Sequence, residues 1–111
     1  MELSGWQTQL RKGAAELVIL AVLVRGEAYG LQILERAQAA GDLVADGALY
    51  QLLNRLEREG KLVSRWSHDE GASHPRKYYA LTPDGLRLFA QMQDAWDNFS
   101  RSVSAIMEKA R

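Results

Sequence analysis

The amino-acid sequence predicts a mainly α-helical fold with a small β-hairpin, closed by one long helix. Three observations carry this expectation. Residues 48–60, ALYQLLNRLEREG, place leucines at 49, 52, 53 and 56, which lines one stripe of an α-helix. Just downstream, LVSRWS (62–67) and RKYYAL (76–81) are rich in Val, Trp and Tyr and flank HDEGASHP, a loop with Gly, Ser and Pro. That is the pattern of two paired strands. From residue 89 onward, Phe89, Met92, Trp96, Phe99, Val103, Ile106 and Ala110 recur at alternating steps of three and four. Such a seam belongs to a helix that needs a partner helix.

Taken in order, residues 3–12 read as a short amphipathic helix through Leu3, Trp6 and Leu10, with Ser4 as its cap. Residues 14–25 read as a helix apolar almost all round, hence a central one, ended by Gly26. Residues 29–40 predict a further helix, with Leu31, Leu34 and Ala37 on one stripe, Ile33 beside it and Gly41 at its end. Asp46 precedes the leucine-striped helix as an N-cap, and Gly60 closes it. After the hairpin, Thr82 and Pro83 predict a sharp helix start, since proline at the first turn lacks only an orphan donor. The helix from residue 83 to the end would be roughly 42 Å long at 1.5 Å per residue. Leu86 and Leu88, near its start, are expected to pack on the body of the protein.

Composition narrows the function classes. The 111 residues are most simply one domain with an ordinary core, with 47% hydrophobic and 25% charged residues. Absence of cysteine excludes a disulfide, a thiolate nucleophile and a Cys-based zinc site. The longest apolar run, LVILAVLV at 17–24, is too short to cross a bilayer, and no small-x-small cleavage pattern follows it. A cytoplasmic protein is expected, with no membrane partner. His68, Asp69, Glu70 and His74 form the densest group of chemically versatile side chains, but they sit in the hairpin loop. They read as solvated residues rather than metal ligands, which need fixed geometry. No triad spacing and no phosphate-binding glycine loop is present. No enzyme activity, metal or cofactor is expected.

Three helices followed by a hairpin form a winged helix-turn-helix, and that arrangement gives the third helix a task. Opposite its leucines stand Gln51, Asn54, Arg55 and Arg58. In a DNA major groove, Asn and Gln can bridge adenine N6 and N7, and Arg can grip guanine O6 and N7 or a phosphate. The net charge is zero, but residues 47–80 hold six basic against four acidic side chains. Two readings therefore stand: DNA binding through Tyr50, Gln51, Asn54, Arg55 and Arg58 with Arg76 and Lys77 on the wing, or a winged-helix protein-interaction module without DNA. The division expected is 1–82 for the winged domain and its N-terminal helix, and 83–111 for a dimerisation helix. Phe89, Met92, Trp96, Phe99, Val103 and Ile106 would form the dimer contact.

GALYQLLNRLEREGKL resembles the third-helix signature of PadR-family transcriptional regulators, with Gly47, Leu49, Tyr50, Leu53, Arg55, Leu56, Glu57 and Gly60 in matching places. EAYGLQIL (27–34), RKYYALTPDG (76–85) and LRKGAAELVILAVL (10–23) are similar to the family's second-helix segment, wing end and first core helix. The chain departs from the pattern at Ala48, where Ser or Thr is usual, and at Gln51, where Pro is frequent. The resemblance implies a homodimeric repressor of the short form, bound to a palindromic operator on double-stranded DNA and released by an effector or other signal. It also marks Trp96, since some multidrug-sensing members hold flat aromatic compounds between paired tryptophans on this helix. An effector space would then draw on Trp96, Phe99 and Met92, with Trp6 or Leu10 as a lid and Asp94 and Asp97 near the rim. The alternative is that Trp96 only fills the interface between subunits.

Overall fold

Leu49, Leu53 and Leu56 are fully buried, and the rest of the molecule is arranged around the helix that carries them. The computed structural model describes residues 3–68, 71 and 73–111. Met1, Glu2, Asp69, Glu70 and Ala72 lie outside the described residues, and with them two members of the loop group named above. The elements run α1 (Leu3–Leu23), β1 (Ala28–Tyr29), α2 (Gly30–Ala39), α3 (Asp46–Arg58), β2 (Leu62–Ser67), β3 (Arg76–Leu81) and α4 (Pro83–Lys109). The three strands form one antiparallel sheet in the order β1-β3-β2. The hairpin has the bounds expected from the sequence, with Leu62 opposite Leu81 and Ser67 opposite Arg76.

Several expectations are corrected. The two N-terminal segments form a single helix, with Gly13 inside it and Ser4 in its first turn rather than at a cap. A glycine in a helix costs only about 1 kcal/mol relative to Ala. The C-terminal half is anchored by Ile19, Leu20 and Leu23, which are at most 2% exposed. The strand β1 has only two residues, too few for any periodicity, and exists because Ala28 and Tyr29 pair with Tyr79 and Tyr78. In α2 the buried set is Gly30, Ile33, Leu34 and Ala37, so Leu31 falls off the stripe and is half exposed. Asp46 is the first residue of α3 and not its cap; Ala45 is the cap and makes no side-chain bond there. A carboxylate in the first turn still meets the positive end of the helix dipole.

The far end of α3 closes as expected at Gly60. Its φ of +78° lets the Gly60 N–H reach the Glu57 carbonyl at 3.1 Å and the Lys61 N–H reach that of Leu56 at 2.8 Å. This turn is also where α4 is fastened. The Thr82 hydroxyl accepts from the Gly85 N–H at 3.0 Å and donates to the Gly60 carbonyl at 2.6 Å. Gly85 lies so close to the α3–β2 junction that a Cβ there would stand 2.0 Å from the Lys61 carbonyl oxygen. The direction of α4 is therefore set by a three-way contact between Gly60, Lys61 and its own first turn.

Beyond this anchor, Leu88, Phe89 and Met92 are partly buried against the core. Leu86 is not; it is 52% exposed and borders an open cleft with Leu23, Val24 and Leu81. From Trp96 outward α4 leaves the body, and Trp96, Phe99, Val103 and Ile106 are 41–67% exposed. The first half of α1 projects in the same way, with every residue from Leu3 to Leu10 exposed.

Candidate nucleic-acid interface

Burial of Leu49, Leu53 and Leu56 on one side of α3 decides what the other side presents. Gly47, Gln51, Asn54 and Arg58 follow one another at steps of four, three and four, and all are exposed. They form the outward stripe of the helix. Two flanks border it. On one, Tyr50 and Glu57 lie a heptad apart and face the hairpin; Tyr50 is half exposed, with its ring beside Gly30 at the start of α2. On the other, Ala48, Leu52, Arg55 and Glu59 face α1.

Arg55 is thus not part of the outward stripe. Its Nη2 donates to Glu16 of α1, its Nη1 donates to Glu59 at 3.1 Å, and its side chain is 40% exposed. Its hydrogen bond to the Glu16 carboxylate is the main reason its pKa is raised. No sequence spacing could reveal this, because Glu16 lies 39 residues upstream and meets Arg55 only through helix packing.

The wing carries a similar arrangement. The Lys77 ammonium lies 3.3 Å from Glu57 Oε1, and the Ser64 hydroxyl donates to the other oxygen of the same carboxylate. That hydroxyl first, and Lys77 after it, hold the Glu57 pKa below its ordinary value. The Arg76 guanidinium stacks 4.6 Å from the centre of the Tyr29 ring, and Lys77 stands 5.9 Å from that of Trp66, its cross-strand partner. Tyr29, Leu31, Tyr50, Trp66, Arg76, Lys77 and Tyr79 together line a cleft of about 560 Å³ between α2, α3 and the wing. Trp66, at 65% exposed, was not singled out in the sequence, although a tryptophan beside strand cations is a recognisable signal. Arg65 is tied to Glu27 through two hydrogen bonds, one of them 2.8 Å from Nε.

A second feature lies where α1 and α4 diverge. An open groove of about 660 Å³ is lined by Trp6, Leu10, Gly13 and Leu17 from α1 and by Met92, Trp96 and Phe99 from α4. Trp6, Met92, Trp96 and Phe99, named from the sequence as one site, do line one space.

Comparison with known proteins gives a consistent result. A family model described as the transcriptional regulator PadR-like family matches residues 19–91. A transcriptional regulator of Mycobacterium tuberculosis is 30% identical over 95 residues, covering 86% of this chain and 87% of that protein. Among solved structures, the chain is similar to a PadR family transcriptional regulator from Eggerthella lenta, with a TM-score of 0.83 and 34% identity over 96% of this chain and 92% of that one. It is also similar to a PadR-like transcriptional regulator from Bacillus cereus, with a TM-score of 0.79 and 27% identity over 89% and 96% of the two chains.

Proposed function

This chain belongs to the PadR-like family of transcriptional regulators, and from that premise we propose that it is a homodimeric repressor that binds a palindromic operator and leaves it when a planar aromatic compound binds. The observation that carries the DNA reading is the outward stripe of Gln51, Asn54 and Arg58, held exposed by the buried leucines behind it. Two amides and a guanidinium in one row match the donor and acceptor pattern of a major groove better than they match a solvated face. Tyr50, Arg76 and Lys77 flank the stripe and approach the backbone from the wing side. Arg55 acts from the other flank, held in place by Glu16 and Glu59. Lys77 must loosen from Glu57, or share it, to meet a phosphate. The protein would work in the cytoplasm, where the DNA is.

The test is selection of bound duplexes from a random pool. A recovered palindrome supports the reading; a pool that never enriches overturns it and leaves the protein-interaction alternative. On the selected duplex, Asn54→Ala should weaken binding by about 1–3 kcal/mol and relax preference at one position of each half-site. Equal affinity for parent and variant would remove Asn54 from base readout.

The dimer reading is supported by the apolar stripe of α4, which continues from Phe89 and Met92 through Trp96, Phe99, Val103 and Ile106 and leaves the last four exposed on a single chain. The exposed first half of α1, with Leu3, Trp6 and Leu10, lies alongside. Two such surfaces brought together by a twofold axis would place two α3 helices on one face of DNA, about one turn apart. The effector reading is supported by the groove between α1 and α4. Its indoles offer stacking surfaces, and cations over an indole face gain about 0.5–2 kcal/mol. A ligand that prefers an altered α1–α4 geometry would shift the spacing of the α3 helices and so release DNA. Titration with planar dyes, followed by tryptophan fluorescence, should show binding below millimolar concentration that Trp96→Ala abolishes. If Trp96→Ala binds the dyes as the parent does, Trp96 is interface packing alone.

A further inference from the structure

A helix lying in a major groove has phosphates on both sides, because the groove, about 12 Å wide, is bounded by both strands. On the wing side of α3 stand Tyr50, Arg76 and Lys77. The opposite side borders α1, and there the structure holds a cleft of about 430 Å³. Ala15 and Ala48, both small, leave it open. Lys12, Gln51, Arg55 and Arg58 line it with Leu52.

The charges facing this cleft are unequal in availability. Glu16 of α1 and Glu59 of α3 are the carboxylates beside it, and both are engaged with Arg55. Lys12 and Arg58 make no ion pair among the described residues. Both are exposed. Two cations and the Gln51 amide, from two different helices, thus converge on one opening, with no carboxylate among the described residues that line it. Arg55 adds a guanidinium whose pose is already set by two acceptors, with N–H groups left over from the five it carries.

We propose that this cleft between α1 and α3 is a second anchor for the DNA backbone, in which Lys12 and Arg58 hold a phosphate on the side of α3 opposite the wing. The inference rests on the DNA reading above and extends it to a residue of α1. Glu16 is a positioning residue here: it fixes Arg55 against α1 and keeps that flank of α3 in register with Lys12. Lys12 sits between Leu10 and Gly13, which line the groove on another side of the same helix. A compound in the groove and a phosphate in the cleft therefore act on one turn of α1.

The experiment compares the full-length parent with Lys12→Gln on two duplexes, one recovered by selection and one unrelated, between about 50 and 200 mM salt. Lys12→Gln should lose roughly three- to tenfold on both duplexes alike, and the slope of log K against log salt should fall by about one. Lys12→Arg should restore both values. Arg58→Gln should lower the slope by a similar amount on the unrelated duplex, and the double variant by about two. Unchanged slope in Lys12→Gln overturns the anchor while leaving the DNA reading intact. A selection that recovers no duplex overturns the DNA reading, and the anchor falls with it.

Discussion

Phe99→Asp should leave the protein monomeric in sedimentation and without measurable affinity for its selected duplex. Phe99 is 65% exposed on the single chain, midway along the stripe formed by Trp96, Val103 and Ile106. Nothing in the core rests on it, so thermal unfolding of the protomer's helices should show no loss traceable to its own packing. In a twofold dimer the change counts twice, because each chain places a carboxylate in the seam. An ionised side chain buried there without a partner costs several kcal/mol, or must take up a proton to enter. Loss of the proposed dimer would remove one of two half-site contacts, and a single winged domain would bind the selected duplex too weakly to measure. A Phe99→Asp protein that remains a dimer would show that the chains associate through another surface, and the role given to the α4 stripe would have to be withdrawn.

Gly85→Ala should lower stability by about 3 kcal/mol or more, read as a lower urea midpoint. Inside a helix, Ala is worth about 1 kcal/mol more than Gly, so local propensity acts in the opposite direction. The loss comes from the added methyl, whose carbon would stand 2.0 Å from the Lys61 carbonyl oxygen and 3.3 Å from Leu81 Cδ2. That carbonyl is backbone and already accepts the Thr82 N–H at 3.1 Å, so it has no rotamer through which to escape. Either α4 tilts away from the α3–β2 junction or the Thr82 contacts break, and overpacking of this kind typically costs 1–3 kcal/mol even where side chains can adjust. DNA affinity should fall along with stability, since α3 and α4 share this junction. A Gly85→Ala variant as stable as the parent would contradict the close contact of α4 with Lys61.

The two results would separate two tasks proposed for α4: its first turn building the protomer, and its outer half making the assembly. The same division runs through α1. Its second half is core, with Ile19 and Leu20 fully buried, and its first half is exposed apolar surface beside the groove. Between the two halves lie Lys12 and Glu16, at the turns that meet α3. The helix joins the groove to the flank of α3 without a loop between them.

What the sequence determined by itself is what is encoded over four residues or fewer. The stripe of Leu49, Leu52, Leu53 and Leu56, with Leu52 only partly buried at its edge, the bounds of both wing strands, the cap at Thr82 and the turn at Gly60 all depend on local spacing or on one residue's backbone preference. Each stands in the structure as expected. The three-and-four steps along α4 belong to the same class. What only the tertiary structure decided depends on elements meeting. The strand Ala28–Tyr29 exists because β3 offers it hydrogen bonds, and the joining of residues 3–23 into one helix overrode the break suggested at Gly13. Leu31 and Leu86 look like core residues in sequence and are half exposed, because a stripe's exact bearing is set by what packs against it. Above all, the cations of the candidate site could be named but not sorted. Arg55 and Arg58 are three positions apart on one helix, yet Arg55 is held by Glu16 and Arg58 makes no ion pair among the described residues. A charge's availability depends on which carboxylate the fold brings within reach, and Coulomb attraction over a few ångströms acts on distance in space rather than distance along the chain.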